Sequence, residues 1–417
     1  MKCYYDLWSK ITTRENFELA YKRATKGKKY YKEVKCIERK GWRRYVNNLR
    51  KEVINKTYKV SDYNIFNLFT GGKWREIYKL PMKDRIVQHA IMNYLEPVFR
   101  ETFILDTFAS IKGRGIHLGL KRVKRALKRN PKYKYYLKLD IHKCYPSLDK
   151  NILKDKLKRK IKDKNLLWLL FEIIDSCDNG VPIGNYTSQY FNNFYFNDFD
   201  HWIKEVKHIK AYFRYCDDII ILAETKEKLR ELLKEIKVEI EKLNVKIKPN
   251  WQIYNIDVKG IDFLGYIIRR YYIRIRKITK QNFINKVKSI DVYNLNNNQV
   301  NVLGSYWGIL RHCNGRNLWF KYIGMKTFEE LNVKVHEREF VKNIVDKQII
   351  VTGAVLYYKR GEKRVKLSIK FNQESTDEIY VSTSAEMIIE VIEHLKITDY
   401  PFITTIQINS NGYFKFT

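Results

Sequence analysis

The segment Tyr215-Cys216-Asp217-Asp218 most constrains what this chain can fold into. Its two adjacent carboxylates lie between an aromatic run, Tyr212 and Phe213, and an apolar one, Ile219 to Leu222. Aromatic and β-branched arms around a short polar segment predict a hairpin with buried arms and an open tip. Two acids at one tip repel each other unless a cation neutralises them. A third acid, Asp140, ends the alternation Tyr136-Leu137-Lys138-Leu139 and precedes Ile141, so it too reads as a carboxylate at a strand end. Three carboxylates on neighbouring strands make a site for two magnesium ions, with manganese as a substitute. Hard cations about 4 Å apart can activate a hydroxyl nucleophile and stabilise a departing oxygen. In-line phosphoryl transfer suits such a site, because positioning and charge neutralisation supply most of its catalysis. Asp is also an ordinary turn residue, so a plain solvated hairpin competes with this reading.

Composition favours the metal site. The chain carries 81 Lys and Arg against 46 Asp and Glu, a formal +35. Such a field calls for a polyanionic partner. Residues 331–417 hold 12 basic and 11 acidic residues, which leaves 69 against 35 in the first 330. The acidic triad therefore sits in the basic part of the chain. Acids gathered inside a basic body fit catalytic metals facing a nucleic-acid groove, since phosphates need the Lys and Arg while the metals need the carboxylates. Thirty-one tyrosines add possible stacking surfaces for bases. An AT-rich coding sequence would enrich Tyr and Lys as well.

Other features exclude classes. No apolar run approaches the roughly 20 residues of a membrane span, and the opening Met1-Lys2-Cys3-Tyr4-Tyr5-Asp6 does not begin a signal peptide. A soluble cytoplasmic protein with no membrane partner is the expectation. The six cysteines form no Cys-x-x-Cys pair, against a structural zinc site or a disulfide framework.

Residues 1 to about 70 read as helical and basic. A strand follows near Trp74–Leu80, then helices over Arg85–Phe99 and Leu118–Leu127 before the Asp140 strand. Helices at Ile152–Lys164 and Leu166–Ser176 lead to a loop, Cys177–Gly184, and a helix from about Thr187 to Ile203. Beyond the Tyr215 hairpin come a helix, Lys226–Leu243, two strands ending near Ile275, and a basic helical region to about Glu330. Residues 336–417 read as strands (Ile349–Tyr358, Arg364–Phe371), a helix (Ser384–Leu395) and two final strands.

The order of these motifs resembles the reverse transcriptase superfamily over roughly residues 70–270. Tyr215 to Asp218 looks like its central palm motif. Leu139-Asp140-Ile141 with Tyr145-Pro146-Ser147-Leu148-Asp149 looks like the first. Gly180-Val181-Pro182-Ile183-Gly184-Asn185 with Thr187-Ser188-Gln189 resembles the template-facing loop and helix. Phe263-Leu264-Gly265-Tyr266 is similar to the primer grip, while Lys73-Trp74-Arg75-Glu76-Ile77 and Lys83-Asp84-Arg85-Ile86-Val87-Gln88-His89 resemble fingers segments. The resemblance implies an α+β right-hand polymerase, with an antiparallel palm sheet flanked by helices. The expected division is a basic helical extension (1–70), fingers and palm (71–270), a helical thumb (271–335) and a small strand-rich C-terminal α/β unit (336–417).

The implied activity is RNA-directed DNA synthesis from an RNA template, a DNA or RNA primer and dNTPs. By the resemblance, Asp140, Asp217 and Asp218 are catalytic and bind metal, and Ile141 adds a backbone carbonyl. Lys73 and Arg75 hold the triphosphate, a guanidinium gripping phosphate oxygens at two points. Tyr145 lies beneath the incoming sugar, where its ring rejects a 2′-hydroxyl. Ile183 and Gly184 border the nucleotide. Lys248, with Lys246 as its rival, meets the leaving pyrophosphate. Asn185, Ser188, Gln189, Phe263, Leu264, Gly265 and Tyr266 face template and primer.

The Ile-Gly-Asn-x-Thr-Ser-Gln loop, the Arg-Glu-Ile-Tyr fingers segment and Ser305-Tyr306-Trp307-Gly308 most resemble bacterial and phage diversity-generating retroelement enzymes. That resemblance implies error-prone copying and a small basic accessory protein. A retron, abortive-infection or other defence-type enzyme would share every catalytic residue. A group II intron protein is disfavoured, since no zinc-binding or His-Asn-His tail follows the thumb. A catalytically silent RNA binder would have no use for the three acids. Many ordinary relatives carry Gln at the place of Ile183, where an amide can hydrogen-bond the nascent pair and isoleucine offers only shape. Ile183→Gln is therefore predicted to raise fidelity, read by sequencing the cDNA; an unchanged error spectrum contradicts this.

Overall fold

The computed structural model describes residues 2–70, 72–290 and 295–324, and the backbone of strands within 348–416. It divides after Arg276 into two compact units. In the first, helices Arg14–Thr25, Lys32–Arg39 and Trp42–Ile54 precede a hairpin of β1 (Asn64–Thr70) and β2 (Lys73–Lys79). The helical reading of residues 1–70 is corrected here, because helix ends at Ile54 and a strand begins at Asn64. Ile65, Phe66, Leu68 and Phe69 do not alternate cleanly, which hides the strand in the sequence. The N-terminal helices are not a separate lobe. Phe17, Ala20, Val46 and Leu49 join the core cluster of Ile86, Val87 and Ile91 from helix Met82–Thr102. Asn16 Nδ2 also donates to the Ala90 carbonyl at 3.0 Å.

The central sheet has four strands, β3 (Tyr135–Asp140), β4 (Tyr212–Tyr215), β5 (Asp218–Ala223) and β6 (Gln252–Asn255), in the order β4-β5-β3-β6. Every pairing is antiparallel. Register puts Leu139 opposite Ile219 and Leu137 opposite Ile221. With period-two alternation, these four share one face and are buried in the same core as Leu229, Leu233 and Ile236 of helix Lys226–Glu241. The opposite face carries Tyr136, Lys138 and Asp140 of β3, paired with Leu222, Ile220 and Asp218 of β5. One sheet thus has an apolar helix-covered side and a side whose strand ends carry acids.

The single helix read from Thr187 to Ile203 is three pieces, Tyr186–Tyr195, Asn197–His201 and a π-helical turn at Trp202–Val206. The Lys150–Lys160 and Lys164–Asp175 helices start on Asp149 and Asp163, whose side chains accept from backbone N–H groups of the first turns. Three short strands, β7 (Ile261–Phe263), β8 (Tyr266–Ile268) and β9 (Ile273–Ile275), form a second antiparallel sheet where two strands were expected.

In the second unit, helices Lys277–Lys288, Asn297–Leu310 and Arg316–Ile323 bury Phe283, Leu303, Trp307 and Trp319. Five antiparallel strands run in the order β12 (Ile379–Thr383), β11 (Glu362–Lys370), β10 (Gln348–Lys359), β13 (Phe402–Ile408), β14 (Phe414–Phe416). The strand at Ile379–Thr383 adds to those read from the sequence, while the helix read at Ser384–Leu395 lies outside the described residues.

Gly180 is the glycine whose replacement should cost most. Its φ is 58°, and a Cβ there would lie 2.1 Å from the Tyr145 carbonyl oxygen. Backbone cannot swing aside as a side chain can. Gly180→Ala is predicted to cost at least about 2 kcal/mol, lowering Tm by roughly 4–8 °C in a unit of this size. A calorimetric scan with no shift would contradict this.

Candidate active site

The Tyr215–Asp218 hairpin is built as the sequence implies. Tyr215 ends β4, Cys216 and Asp217 make the turn, and Asp218 begins β5 directly opposite Asp140. Cys216 takes the left-handed conformation with φ 58°, which is uncommon for a residue with a Cβ. The Ile141 N–H donates to the Asp217 carbonyl at 3.2 Å, tying the turn to the end of β3. All three carboxylates are thereby brought to one end of one sheet face.

Their electrostatics follow from this crowding. Burial pushes the Asp218 carboxyl from 3.8 up to about 7; Lys138 pulls it back, while Asp140 and Asp217 push it further. Burial and then Asp140 raise Asp217, with Lys248 and Arg75 among the groups that hold it down. Asp218 Oδ1 is buried without a hydrogen-bond partner. An orphaned carboxylate oxygen among like charges is what a bound cation would satisfy. Hence the residues present fit a divalent cation at Asp217 and Asp218. Asp140 already has a partner, because Lys248 Nζ is ion-paired with its Oδ1. Among the described residues no three His, Cys, Asp or Glu side chains form a ready-made metal group. A cation reaching Asp140 would compete with this lysine for its carboxylate.

Lys246 and Lys248 differ in their pairing with the end of β3. Residues 246–248 run beside the end of β3, where the Lys248 N–H donates to the Asp140 carbonyl and the His142 N–H to the Lys246 carbonyl, each at 2.8 Å. Only Lys248 turns its ammonium onto the acid.

Tyr145 is half-buried, with its hydroxyl 3.7 Å from Cys216 Sγ, so its ring adjoins the turn. The Ile183 carbonyl accepts from the Tyr78 N–H at 2.9 Å, joining its loop to strand β2. A Cβ at Gly184 would lie 2.5 Å from the Tyr78 carbonyl. Lys73 opens β2, but its side chain lies outside the described structure. Asn185 is buried and donates to the Tyr63 hydroxyl at 2.9 Å; Ser188 is buried and Gln189 exposed. Phe263 and Tyr266 are also buried, flanking a two-residue turn in which Leu264 and Gly265 both have positive φ. Leu264 is buried as well.

Three residues were missed by sequence reasoning. Lys138 Nζ donates to the Asp262 carbonyl at 2.9 Å and lies two positions before Asp140 on the same sheet face, a spacing that could have revealed it. Arg276 Nε donates to Asp262 Oδ1 at 2.6 Å. Arg214 is a cation inside the otherwise aromatic strand Tyr212–Tyr215, and it is completely buried. A cleft of about 250 Å³ lined in part by Tyr136, Lys138, Trp251 and Asp262 opens beside Asp140.

Residues 66–268 match the family described as Reverse transcriptase (RNA-dependent DNA polymerase), and residues 337–417 match a Domain of unknown function (DUF8468). Protein YkfC of Escherichia coli K12 is 24% identical over 148 residues, 33% of this chain and 39% of that protein. The Retron Ec73 reverse transcriptase of Escherichia coli is 27% identical over 199 residues, 44% of this chain and 60% of that one. A putative COX1/OXI3 intron 2 protein of Saccharomyces cerevisiae is 23% identical over 38% of this chain and 20% of its own length. The chain therefore spans less than two thirds of each of these relatives. Among solved structures, apo telomerase from Candida tropicalis aligns over 71% of this chain and 67% of its own, at 13% identity and a TM-score of 0.43.

The crowding makes a stability prediction. Because Asp218 holds its proton more tightly folded than unfolded, the penalty for ionising it grows as pH rises from about 4 and is complete above about 7. With divalent ions chelated at pH 8, Asp218→Asn is predicted to melt several degrees higher than the parent, and the gap to narrow at pH 4. Equal melting at both pH values would contradict this.

Proposed function

We propose that this chain, whose residues 66–268 match the reverse transcriptase family, is an RNA-directed DNA polymerase that extends a primer 3′-hydroxyl with dNTPs on an RNA template. The observation that carries this reading is the convergence of Asp140, Asp217 and Asp218 at one end of the central sheet. Two divalent cations on these carboxylates would supply a nucleophilic 3′-oxygen and neutralise the leaving pyrophosphate. Asp217 and Asp218, with Asp140 beside them, would supply the charge that holds the cations, and Lys248, ion-paired with Asp140, would neutralise or protonate the leaving pyrophosphate. Arg75, close enough to influence Asp217, grips the triphosphate. The Tyr145 ring beneath the sugar excludes a ribose 2′-hydroxyl by steric clash. The cleft beside Asp140, with Trp251 and Lys138 in its lining, takes the primer end.

For the biological role we favour error-prone synthesis in a diversity-generating retroelement, supported by Ile183 and its loop, with a small basic accessory protein as partner. The likeness to the Retron Ec73 reverse transcriptase supports a second reading, a retron or defence-type enzyme. The near-neutral residues 337–417, which match a domain of unknown function, act as a protein-docking module.

Primer extension on a defined RNA template with magnesium and four dNTPs tests these readings. Cross-linked counts of errors by template base separate the two roles: errors concentrated at adenines support the retroelement role, and accurate cDNA the retron or defence role. Asp217→Ala is predicted to abolish extension while leaving the melting profile folded; extension by that variant would sink the catalytic assignment. Deletion of 337–417 is predicted to leave extension on a simple template within about twofold of the full chain. Abolished extension by a folded truncated protein would contradict the docking role.

A further inference from the structure

Beneath the Asp217 turn lies an ion pair that the chemistry above does not use. Arg214 and Asp200 are both fully buried. Arg214 Nε donates to Asp200 Oδ1 at 2.8 Å, and Nη2 to Oδ2 at 2.5 Å. The same guanidinium donates through Nη1 to the Cys216 carbonyl at 3.0 Å and to Asn193 Oδ1 at 3.3 Å, and through Nη2 to the Asn193 carbonyl at 3.4 Å. Five contacts thus occupy its five donors. Asp200 is anchored in turn by Thr107 Oγ1 at 2.9 Å and by the Tyr212 hydroxyl. The Arg214 backbone is fixed as well, its N–H donating to the Asp106 carbonyl at 2.9 Å and its carbonyl accepting from the Phe108 N–H at 3.1 Å.

This network ends on a residue whose backbone conformation is uncommon for one with a Cβ. Cys216, at φ 58°, has a conformation that favours glycine, yet it carries a Cβ and sets the direction of Asp217 and Asp218. Such a conformation persists only where its surroundings hold it. Contacts on it include Arg214 on the Cys216 carbonyl, Asn192 Nδ2 on Cys216 Sγ at 3.3 Å and the Tyr145 hydroxyl 3.7 Å from the same sulfur. A buried ion pair is weak evidence of stabilisation, because desolvation consumes much of the attraction. Its retention directly under the turn is better explained by positioning.

We propose that Arg214, clamped by Asp200, is a positioning residue that holds Cys216 in its left-handed conformation and so aims the Asp217 and Asp218 carboxylates. Lysine keeps the charge but has no planar fork, so it can reach Asp200 or the Cys216 carbonyl without bridging both in this geometry. Glycine at 216 takes the same φ without strain and needs no clamp. The assignment rests on the polymerase reading for its kinetic consequences, but its effect on cation binding stands apart from that reading.

The test uses the full chain with Arg214→Lys, the double variant Arg214→Lys/Cys216→Gly, and Thr107→Val, which removes one bond to Asp200 at a distance from the turn. Each is checked for folding by circular dichroism. Primer-extension kcat and dNTP KM are then measured, together with Mn²⁺ affinity by water-proton relaxation without nucleic acid. Arg214→Lys is expected to lower kcat by about 10- to 100-fold with KM changed by less than about twofold, and to weaken Mn²⁺ binding. Adding Cys216→Gly is expected to restore about fivefold or more of the lost kcat, and Thr107→Val to act in the same direction more weakly. A folded Arg214→Lys with wild-type kcat and Mn²⁺ affinity overturns the proposal, as does a loss that Cys216→Gly leaves untouched. If Arg214→Lys does not fold, Thr107→Val decides, and unchanged kcat and Mn²⁺ affinity in it overturn the proposal. Should the wild-type chain extend no primer, the polymerase reading fails, while Mn²⁺ affinity still decides whether Arg214 aims the carboxylates.

Discussion

Two carboxylates opposite one another across an antiparallel strand pair, with a third in the adjoining turn, repel at short range. Asp140 faces Asp218, and Asp217 is next in the chain. Much of the surrounding structure can be understood as holding this arrangement. Lys248 pairs with Asp140, while Lys138 and Arg276 lower the proton affinity of Asp218, and Arg75 that of Asp217. Four cations thus come from four separate stretches of chain, and each leaves some negative charge facing the open side. Such a partly compensated site would suit a divalent ion held by Asp217 and Asp218.

The geometry below the acids is stiff where the charges above are adjustable. The helix-covered face of the sheet is closely packed around Leu137, Leu139, Ile219 and Ile221. Arg214 fixes the turn from beneath, and the Gly180 loop closes on the Tyr145 backbone through the Val181 N–H at 3.0 Å. Tyr78 ties strand β2 to the loop at Ile183 in the same way. Strand β2, the loop and the Tyr145 segment are therefore linked by backbone hydrogen bonds, which a side-chain substitution does not remove.

The hairpin and the Asp140 strand were legible in the sequence because their β-rich arms and period-two alternation are local signals. The facing of Asp140 and Asp218 was not, since register across a long loop is set by the whole sheet. Lys246 and Lys248 were indistinguishable for the same reason: only their pairing with residues 140–142 decides which ammonium meets the acid. Strand β1 was hidden by irregular apolar spacing next to a helical region. Arg214 shows a different limit. A charged residue in an aromatic strand is visible as an anomaly, but its partner Asp200 lies 14 residues earlier on a helix, and no local pattern connects them. The burial of Phe263 and Tyr266, which the resemblance gives a primer-facing role, was not legible either, because it depends on packing around the second sheet.

The most direct test of the account is an anomalous-diffraction structure of the chain with Mn²⁺, an RNA template, a primer and a non-hydrolysable dNTP analogue. The account predicts manganese peaks between Asp140 and the Asp217-Asp218 pair, with Lys248 moved from Asp140 toward the triphosphate. Manganese absent from the three carboxylates, with Lys248 still paired to Asp140 in the presence of bound nucleotide, would contradict it.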